Sequence, residues 1–315
     1  MKGLELSRRF FREWAFPVLN RAVPELMQKV AVGLIGSNSQ VLGYDDELSR
    51  DHGWGPFFII WTPDDMKPED VQRIQDALKL ALPGQFGGVP LAARRKMPFE
   101  MGDFAIASIG QARRFLTGYE AGPRSDLDWL TIPESRLCEA TAGDIFHDPA
   151  GLMESWRKSI AYFPDNVWYK RISFTWVMLG VTAQIRRCVE RQDVVAGHIW
   201  VSWFLEAGMR LGFLLARRYA PWRKWLFRRL KEVWPGDPRM PDLLHDLAGA
   251  ASLARQETLM LDVLDILGNH ASNSGQITAQ PLRREAIQHF TPFNFEGFAV
   301  AYHKKVKGPL AQLPL

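Results

Sequence analysis

The sequence lacks the features that mark several large classes of protein. Its two cysteines, Cys138 and Cys188, exclude a disulfide framework and predict buried thiols in a reducing compartment. No apolar run is long enough to span a bilayer, because the most apolar stretch, residues 198–216, is interrupted by Glu206 and Arg210. An apolar signal core is also missing from the first residues. These absences predict a cytoplasmic protein that does not enter membranes.

A strong excess of one charge is missing too. The 39 basic and 35 acidic residues leave a formal net charge of +4 over 315 residues. That balance permits an anionic small molecule such as a nucleotide as a partner, without demanding nucleic acid. The sequence has no Walker A motif, no Gly-x-Ser-x-Gly elbow and no Cys-x2-Cys pair, so the enzyme and zinc-site classes defined by those motifs are not indicated.

What the chain does have is large apolar side chains, with 12 Trp and 19 Phe to fill a sizeable core. The apolar segment Val30–Ile35 predicts a buried strand, and Phe57–Trp61 and Phe104–Ile109 predict a second and a third. A helix is predicted from Pro68, since proline suits the first turn of a helix. Strand, helix and strand in this order indicate a small mixed sheet.

The rest of the chain is predicted to be helical. Apolar spacing and proline boundaries give helices over 128–142, 152–162, 166–191, 194–218, 223–233 and 241–267. We therefore predict an α+β fold, with a mixed sheet and helices in residues 1–150 and a C-terminal α-helical bundle in residues 151–315. The length of the chain suits two domains, and a substrate is expected in the cleft between them.

The stretch from Gly36 to Pro56, directly after the first predicted strand, is the most informative part of the sequence. Gly36 and Ser37 form a turn whose backbone N–H groups can bind phosphate oxygens, and Ser39 adds a hydroxyl group. The stretch therefore predicts binding of a nucleoside triphosphate. The alternative is an ordinary turn at the end of a strand.

Carboxylates follow the turn within the same stretch. Asp45, Asp46 and Asp51 offer the oxygen ligands that Mg²⁺ prefers beside substrate phosphates. His52 is placed to donate to phosphate or to pair with a carboxylate. These four residues are the predicted catalytic set, with Asp51 and Asp46 as the metal ligands. The alternative is that Asp45 and Asp46 cap the helix ahead of Leu48, and that His52 forms a structural hydrogen bond.

Further candidates lie in the helical half. Lys224 follows a turn rich in aromatic residues and is predicted to contact the triphosphate, while Tyr219 and Trp222 are predicted to stack on a base. The alternative is a helix cap with aromatic packing and a solvated basic helix. A third possibility is RNA contact by the basic and aromatic stretch 217–231, although nucleic acid is not the expected partner.

Two polar groups complete the set of candidates. A cluster near the predicted domain boundary offers a general base or, alternatively, helix caps: Glu139, Asp144, His147 and Asp148. Glu206 and Arg210 lie one turn apart and are expected to pair with each other.

The stretch Gly36–Pro56 and three further segments, residues 129–137, 141–148 and 217–226, resemble the domain-of-unknown-function 4037 family. That family looks like a branch of the nucleotidyltransferase superfamily, and the resemblance extends from about residue 5 to about residue 300. It implies a nucleotidyltransferase-like sheet domain followed by a helical substrate-binding domain. It further implies Mg²⁺-dependent transfer of a nucleotidyl group to a small-molecule hydroxyl or amine, or to a protein.

The sequence departs from the superfamily pattern at one point. That pattern has two carboxylates separated by one residue, and here Asp51 fits the first position while Gly53 occupies the second. The strand predicted at 104–109 also lacks an acid. Asp45, Asp46, Asp103 or Glu100 would have to substitute. A second hypothesis is therefore a fold that has lost transfer chemistry and binds a nucleotide or small anion, or uses its cleft for another reaction.

Overall fold

The computed structural model describes residues 1–36, 38–51, 53–91, 103–277 and 293–314, with backbone alone at Asp51 and residues 293–296. The chain forms two compact units. Unit 1 comprises Met1–Arg124 and Ile132–Ala161, and unit 2 comprises Ser125–Thr131 and Tyr162–Leu315. The helix Leu152–Ser159 thus belongs to unit 1. The division into domains of residues 1–150 and 151–315 stays a prediction, because compactness does not establish independent folding.

Unit 1 begins with helical segments that surround the two N-terminal prolines. These are α1 (Gly3–Phe10), a π-helical turn (Phe11–Ala15), α2 (Phe16–Ala22) and α3 (Pro24–Met27). Pro17 does not break the helical run, since it occupies the first turn of α2 and the π-turn precedes it. Pro24 does mark a break, at which α3 begins.

A mixed sheet follows, and it confirms the α+β fold class. Its strands are β1 (Ala31–Leu34), β2 (Phe58–Thr62), β5 (Phe104–Ser108) and β6 (Asp144–His147), and a separate hairpin is formed by β3 (Gln85–Phe86) and β4 (Val89–Pro90). The order is β5-β2-β1-β6, with β1 antiparallel to both neighbours and β2 parallel to β5. The three predicted strands are confirmed, whereas β6 was missed.

The remaining helices of unit 1 are α4 (Pro68–Ala81), α5 (Ile109–Thr117), α7 (Glu134–Thr141) and α8 (Leu152–Ser159). The single helix predicted over 128–142 was wrong. It is two helices, α6 (Asp126–Thr131) in unit 2 and α7 in unit 1. Pro133, which precedes α7, has no N–H group to continue α6.

Aromatic rings from the N-terminal helices cover the sheet of unit 1. Phe10 packs on Phe58 of β2 with ring centroids 5.4 Å apart, and Phe58 stacks on Phe104 of β5 at 6.0 Å. Phe11 contacts Phe58 edge-on at 5.7 Å. Each of these rings buries a large apolar area, so they dominate the packing energy of this unit.

Unit 2 contains only helices and turns among its described residues. Besides α6, these are α9 (Asp165–Val181), α10 (Ile185–Arg191), α11 (Val194–Leu215), α12 (Arg223–Val233), α13 (Arg239–Gly249), α14 (Leu253–Asn273), α15 (Phe293–His303) and α16 (Pro309–Gln312). Trp176 of α9 stacks on Phe298 of α15 at 4.5 Å. Within the described ranges, no helix combines the length and apolar character that crossing a membrane requires.

Two long helices predicted in this unit were wrong in their continuity. The helix predicted over 166–191 is interrupted by a 3-10 turn, Thr182–Gln184. The helix predicted over 241–267 is divided into α13 and α14, because Ala250 adopts an extended conformation and Ser252 caps the N-terminus of α14 by accepting from the amide of Arg255. Helical periodicity continues across both interruptions, so apolar spacing did not reveal them.

Backbones approach unusually closely where β1 meets the turn before β6. A Cβ atom at Gly33 would lie 2.4 Å from the carbonyl oxygen of Asp144, and one at Gly143 would lie 2.0 Å from that of Leu34. Gly143 also has a φ of 73°, which L residues rarely adopt. Both positions therefore require glycine for β1 and β6 to pair.

We expect Gly143→Ala to destabilise unit 1 far more than Gly122→Ala. Gly122 has a comparable φ of 82° but no atom within 4 Å of its added Cβ, so its substitution carries conformational strain alone, about 1–2 kcal/mol. Gly143→Ala adds the clash with β1, about 3 kcal/mol further. Urea unfolding of both variants measures the difference, and equal losses would contradict the close approach.

Candidate functional site

Several candidate residues of unit 1 lie at one end of the sheet. The register pairs Leu34 at the end of β1 with Asp144 at the start of β6, and Phe58 at the start of β2 with Phe104 at the start of β5. Because β1 runs antiparallel to β2, all four positions lie at the same end of the sheet. The segment 36–56 leaves the sheet and returns to it at this end.

Two acids outside that segment lie at the same end. Asp103 is buried directly ahead of β5. Asp144 opens β6 and pairs with Arg8 of α1, which also binds Glu5. Asp144 is therefore part of a surface ion-pair network, and Asp103 is the acid enclosed beside the sheet.

Residues 38–44 are tightly folded by hydrogen bonds within their own backbone. The amide of Val41 donates to the carbonyl of Asn38 at 3.0 Å, and the amide of Tyr44 donates to that of Ser39 at 2.8 Å. Gly43 takes a φ of 73° where the chain reverses. Ser39 thus contributes its carbonyl to the turn, and its predicted contact with phosphate stays a prediction.

Asp45 joins this segment to the N-terminus of α1. Its Oδ2 accepts from the amide of Gly3 at 2.8 Å and from the indole Nε1 of Trp54 at 2.9 Å, and Lys2 Nζ lies 3.7 Å from Oδ1. Burial alone would raise the pKa of Asp45, but the hydrogen bonds from Trp54 and Gly3 and the charge of Lys2 outweigh it and lower the pKa. The environment of this predicted catalytic acid is that of a structural anchor.

Gln40 belongs to the same set of contacts between α1 and the segment 36–56, and no pattern in the sequence indicated its role. It is fully buried, and its Oε1 accepts from the amide of Gly55 at 3.1 Å. A Cβ at Gly3 would lie 2.6 Å from that oxygen and 2.9 Å from the indole nitrogen of Trp54. Glycine at the first position of α1 therefore lets the helix approach the segment.

Asp46 lies at the start of the 3-10 turn Leu48–Asp51. Its Oδ1 accepts from the amide and the hydroxyl of Ser49, each at 3.0 Å, and these bonds lower the pKa of the exposed Asp46 carboxylate. The capping alternative describes this contact correctly. Asp51 ends the turn and precedes β2 by a few residues, which is where the sequence predicts a metal ligand.

The first amide of the predicted phosphate-binding turn, that of Gly36, already has a hydrogen-bond acceptor within the protein. The amide of Gly36, a residue with a φ of 135°, donates to the carbonyl of Glu139 at the end of α7, 3.2 Å away. Ser37, His52 and Glu100 lie outside the described residues. Their predicted roles stay predictions.

The polar cluster near the predicted boundary braces secondary structure. Asp148 accepts from three amides at the start of α8, those of Leu152, Met153 and Glu154, at 2.7–2.9 Å. His147 donates from Nε2 to the carbonyl of Met27 at 2.7 Å. The capping alternative for this cluster therefore describes these contacts.

A groove of about 610 Å³ runs between β6 and α8 in unit 1. Arg157 of α8 lines it and donates to the carbonyl of Thr141 at the end of α7, and burial lowers the pKa of its guanidinium. Lys158 and Glu154 pair with each other at 2.8 Å on the same side. The charged groups of this groove thus bind a carbonyl at a helix end or form an ion pair with one another.

In unit 2, two of the three predicted nucleotide contacts, Tyr219 and Lys224, have different surroundings. Tyr219 is buried and packs against Phe163 at 4.9 Å and Tyr162 at 5.2 Å, so its ring is part of the core and stacking on a base was wrong. Lys224 is exposed in the first turn of α12, with Nζ 4.9 Å from the ring centroid of Trp225. Its contact with a triphosphate stays a prediction.

Glu206 and Arg210 pair as predicted, and a third residue joins them. Arg210 Nη2 lies 2.9 Å from Glu206 Oε1, and Arg223 of α12 approaches Glu206 Oε2 at 3.1 Å. Burial alone would raise the pKa of Glu206, but the two arginines lower it. This triad links α12 to α11.

Comparison with known families places part of the chain. Residues 129–226 match a family described as a domain of unknown function (DUF4037). Over this range the chain is therefore similar to the DUF4037 family. The match confirms the predicted family over the three segments at 129–137, 141–148 and 217–226. No curated protein matches the chain.

A solved structure also aligns with most of the chain. It is the crystal structure of a nucleotidyltransferase-like protein from Exiguobacterium sibiricum 255-15, at 13% identity and a TM-score of 0.37. The alignment covers 86% of this chain and 76% of the other.

The matched region extends from α6 to the first turn of α12, so it has residues in both compact units. It contains β6 and the helix caps at Asp148. The segment 36–56 precedes it. The functional residues predicted at 36–52 therefore lie outside the matched region.

We expect Asp45→Ala to lower the free energy of unfolding by about 2 kcal/mol or more, because two donors, the Gly3 amide and the Trp54 indole, lose a buried acceptor. Asp46→Ala removes only an exposed turn cap and should cost clearly less. Urea unfolding measures both. A larger loss for Asp46→Ala would contradict the anchoring role of Asp45.

The lowered pKa of Asp45 also predicts a pH dependence. A carboxylate with a folded-state pKa below its ordinary value of 3.8 stabilises the fold above that value, and the contribution disappears as pH falls through the folded pKa. The stability difference between the wild type and Asp45→Asn should therefore shrink from about pH 5 to about pH 2. Parallel pH profiles of the two proteins would contradict this assignment.

Proposed function

We propose that unit 1 is a nucleotidyltransferase-like domain that binds a nucleoside triphosphate on the segment 36–56. The observation that carries the proposal is the path of this segment. It follows β1, which ends at Leu34, forms the 3-10 turn that ends at Asp51, and reaches β2 at Phe58; the two strand ends that it connects lie at the same end of the sheet. One segment, anchored by Asp45, thus supplies both the turn after β1 and the carboxylate of Asp51 before β2.

Asp51 is the proposed Mg²⁺ ligand, and Asp103 is the proposed second acid. Mg²⁺ commonly binds one or two carboxylates together with substrate phosphates, so a complete protein cage is not needed. This matters because, across the described ranges, no three His, Cys, Asp or Glu side chains cluster as a metal site. Asp103 precedes β5 at the same sheet end, which makes it the better substitute for the acid that Gly53 cannot provide.

Asp45 and Asp46 are proposed to position the segment rather than to bind metal. Both carboxylates accept hydrogen bonds from protein donors, and ligation would compete with those contacts. When bound, Mg²⁺ would neutralise phosphate charge during transfer to a small hydroxyl or amine acceptor, or to a protein.

The second candidate function is binding of a nucleotide or small anion without transfer. One observation favours it. The Gly36 amide, the first donor of the predicted phosphate cradle, is bonded to the carbonyl of Glu139. A cradle with fewer donors suits a sensor that needs moderate affinity more than an enzyme that must stabilise charge in the transition state.

The first test is calorimetric titration with ATP, GTP, CTP and UTP, with and without Mg²⁺. We expect Mg²⁺-dependent binding that weakens about tenfold or more in Asp51→Asn, since a proposed ligand of Mg²⁺ is lost. Asp64→Asn is the matched control. Asp64 lies past the opposite end of β2, where it accepts from Ser108 Oγ at 2.6 Å and from the Gly110 amide at 2.7 Å.

The outcomes separate the two functions. Binding that requires Mg²⁺ and Asp51, followed by a labelled product with an acceptor, supports transfer. Binding that is indifferent to Mg²⁺ and to Asp51→Asn supports the anion-binding alternative. If no nucleotide binds the wild type, the proposed transfer and the nucleotide-binding form of the alternative both fail.

A further inference from the structure

Helix α11 is mostly apolar, with Glu206 and Arg210 among its residues, yet one of its faces is exposed. Its buried face packs inside unit 2 and includes Gly197, Val201, Phe204, Gly208 and Leu211. On the opposite face, Val195, Ile199 and Trp203 are 76%, 52% and 50% exposed. Large apolar side chains of a helix normally pack against another element, whereas these three are exposed in the described part of the chain.

These three residues form a row, called here the α11 row. Their spacing of four residues puts them on one face of the helix, along about 12 Å of its length. Trp200 contacts Trp203 with ring centroids 5.6 Å apart at 77°, which limits the freedom of the exposed ring. A row of restrained apolar side chains is a surface suited to docking.

Each end of the α11 row carries an exposed charge, and the two signs differ. At the N-terminal end, Asp193 is exposed and caps the helix by accepting from the Ala196 amide at 3.1 Å. At the C-terminal end, Glu206 lies one turn beyond Trp203 and holds Arg223, whose side chain is still 68% exposed. An anion thus precedes the row, and a group of one carboxylate and two guanidiniums (Glu206, Arg210 and Arg223), with a net charge of +1, follows it.

We infer that the α11 row is the contact of a symmetric dimer of this chain. A twofold axis at Ile199 places Val195 of one copy on Trp203 of the other, with the helices antiparallel. The same axis brings Asp193 of each copy toward Arg223 of the other, so the charges match twice. In this antiparallel arrangement the positive end of each helix dipole lies beside the negative end of the other. In a parallel pair, ends of like sign would lie side by side.

Two further observations favour a second copy over a nucleic acid. Val195 and Ile199 are β-branched aliphatic residues, which offer no ring on which a base can stack. The net charge of +4 is small for a protein that binds a polyanion through its surface. One helix face, extended by the exposed Trp222 beside Arg223, is smaller than a standard interface, so the dimer should dissociate on dilution in the micromolar range.

Sedimentation velocity over a concentration series tests the dimer. We expect the wild type to shift from monomer to dimer and Ile199→Asp to weaken the dimer about tenfold or more, since it buries a charge at the axis. The matched control is Leu80→Asp on α4, where the native leucine is 93% exposed and outside the row. This control should dimerise as the wild type does.

A cross-link tests the position of the axis without weakening the contact. Residue 199 of each copy lies at the proposed axis, so Ile199→Cys should form a covalent dimer on mild oxidation. Leu80→Cys reports the background, including any contribution from the native Cys138 and Cys188. Thermal melts of all variants identify any loss of folding.

The inference is overturned by any of three results. The wild type is monomeric at every concentration, Ile199→Asp and Leu80→Asp weaken the dimer equally, or Ile199→Cys cross-links no more than Leu80→Cys. If Ile199→Asp fails to fold, the cross-link of Ile199→Cys decides. None of these measurements involves a nucleotide, so the result is independent of the proposed function.

Discussion

The buried carboxylate of Asp45 is the interaction on which the candidate site depends. It collects the amide of Gly3, the indole of Trp54 and the charge of Lys2, and thereby ties α1 to the segment between β1 and β2. A buried charge is tolerated only when its hydrogen bonds and ion pair outweigh desolvation, as the lowered pKa shows here. The position of the turn that ends at Asp51 follows from this anchor.

The pairing of β1 with β6 in the sheet is the second feature on which the candidate site depends. Gly33 and Gly143 allow β1 and β6 to approach so closely that no side chain fits at either position. The strand registers then bring the segment 36–56, Asp103 and Asp144 to one end of the sheet. The region that is similar to DUF4037 thus contributes β6 to a sheet whose other strands precede it.

Several elements were predictable because local signals were strong. The apolar runs of β1, β2 and β5 and the first-turn proline of α4 identified those elements within about a residue or two. Strand β6 was missed because Asp144 and His147 make it a short, polar edge strand, and its order of polar, apolar, apolar and polar residues lacks the alternation typical of a strand. Tyr219 was misassigned because a tyrosine beside basic residues looks the same in sequence whether its ring is exposed or packed on Phe163.

The sequence by itself determined the α+β class and the resemblance of residues 129–226 to the DUF4037 family, and it predicted the stretch proposed as the candidate site. These follow from apolar periodicity and from an ordered set of glycines and carboxylates, which are local properties of the chain. Only the tertiary structure decided which carboxylates are engaged by protein donors, because the partners of Asp45 lie up to 43 residues away. It alone decided which face of the apolar helix α11 is exposed, since burial depends on the helices packed around it.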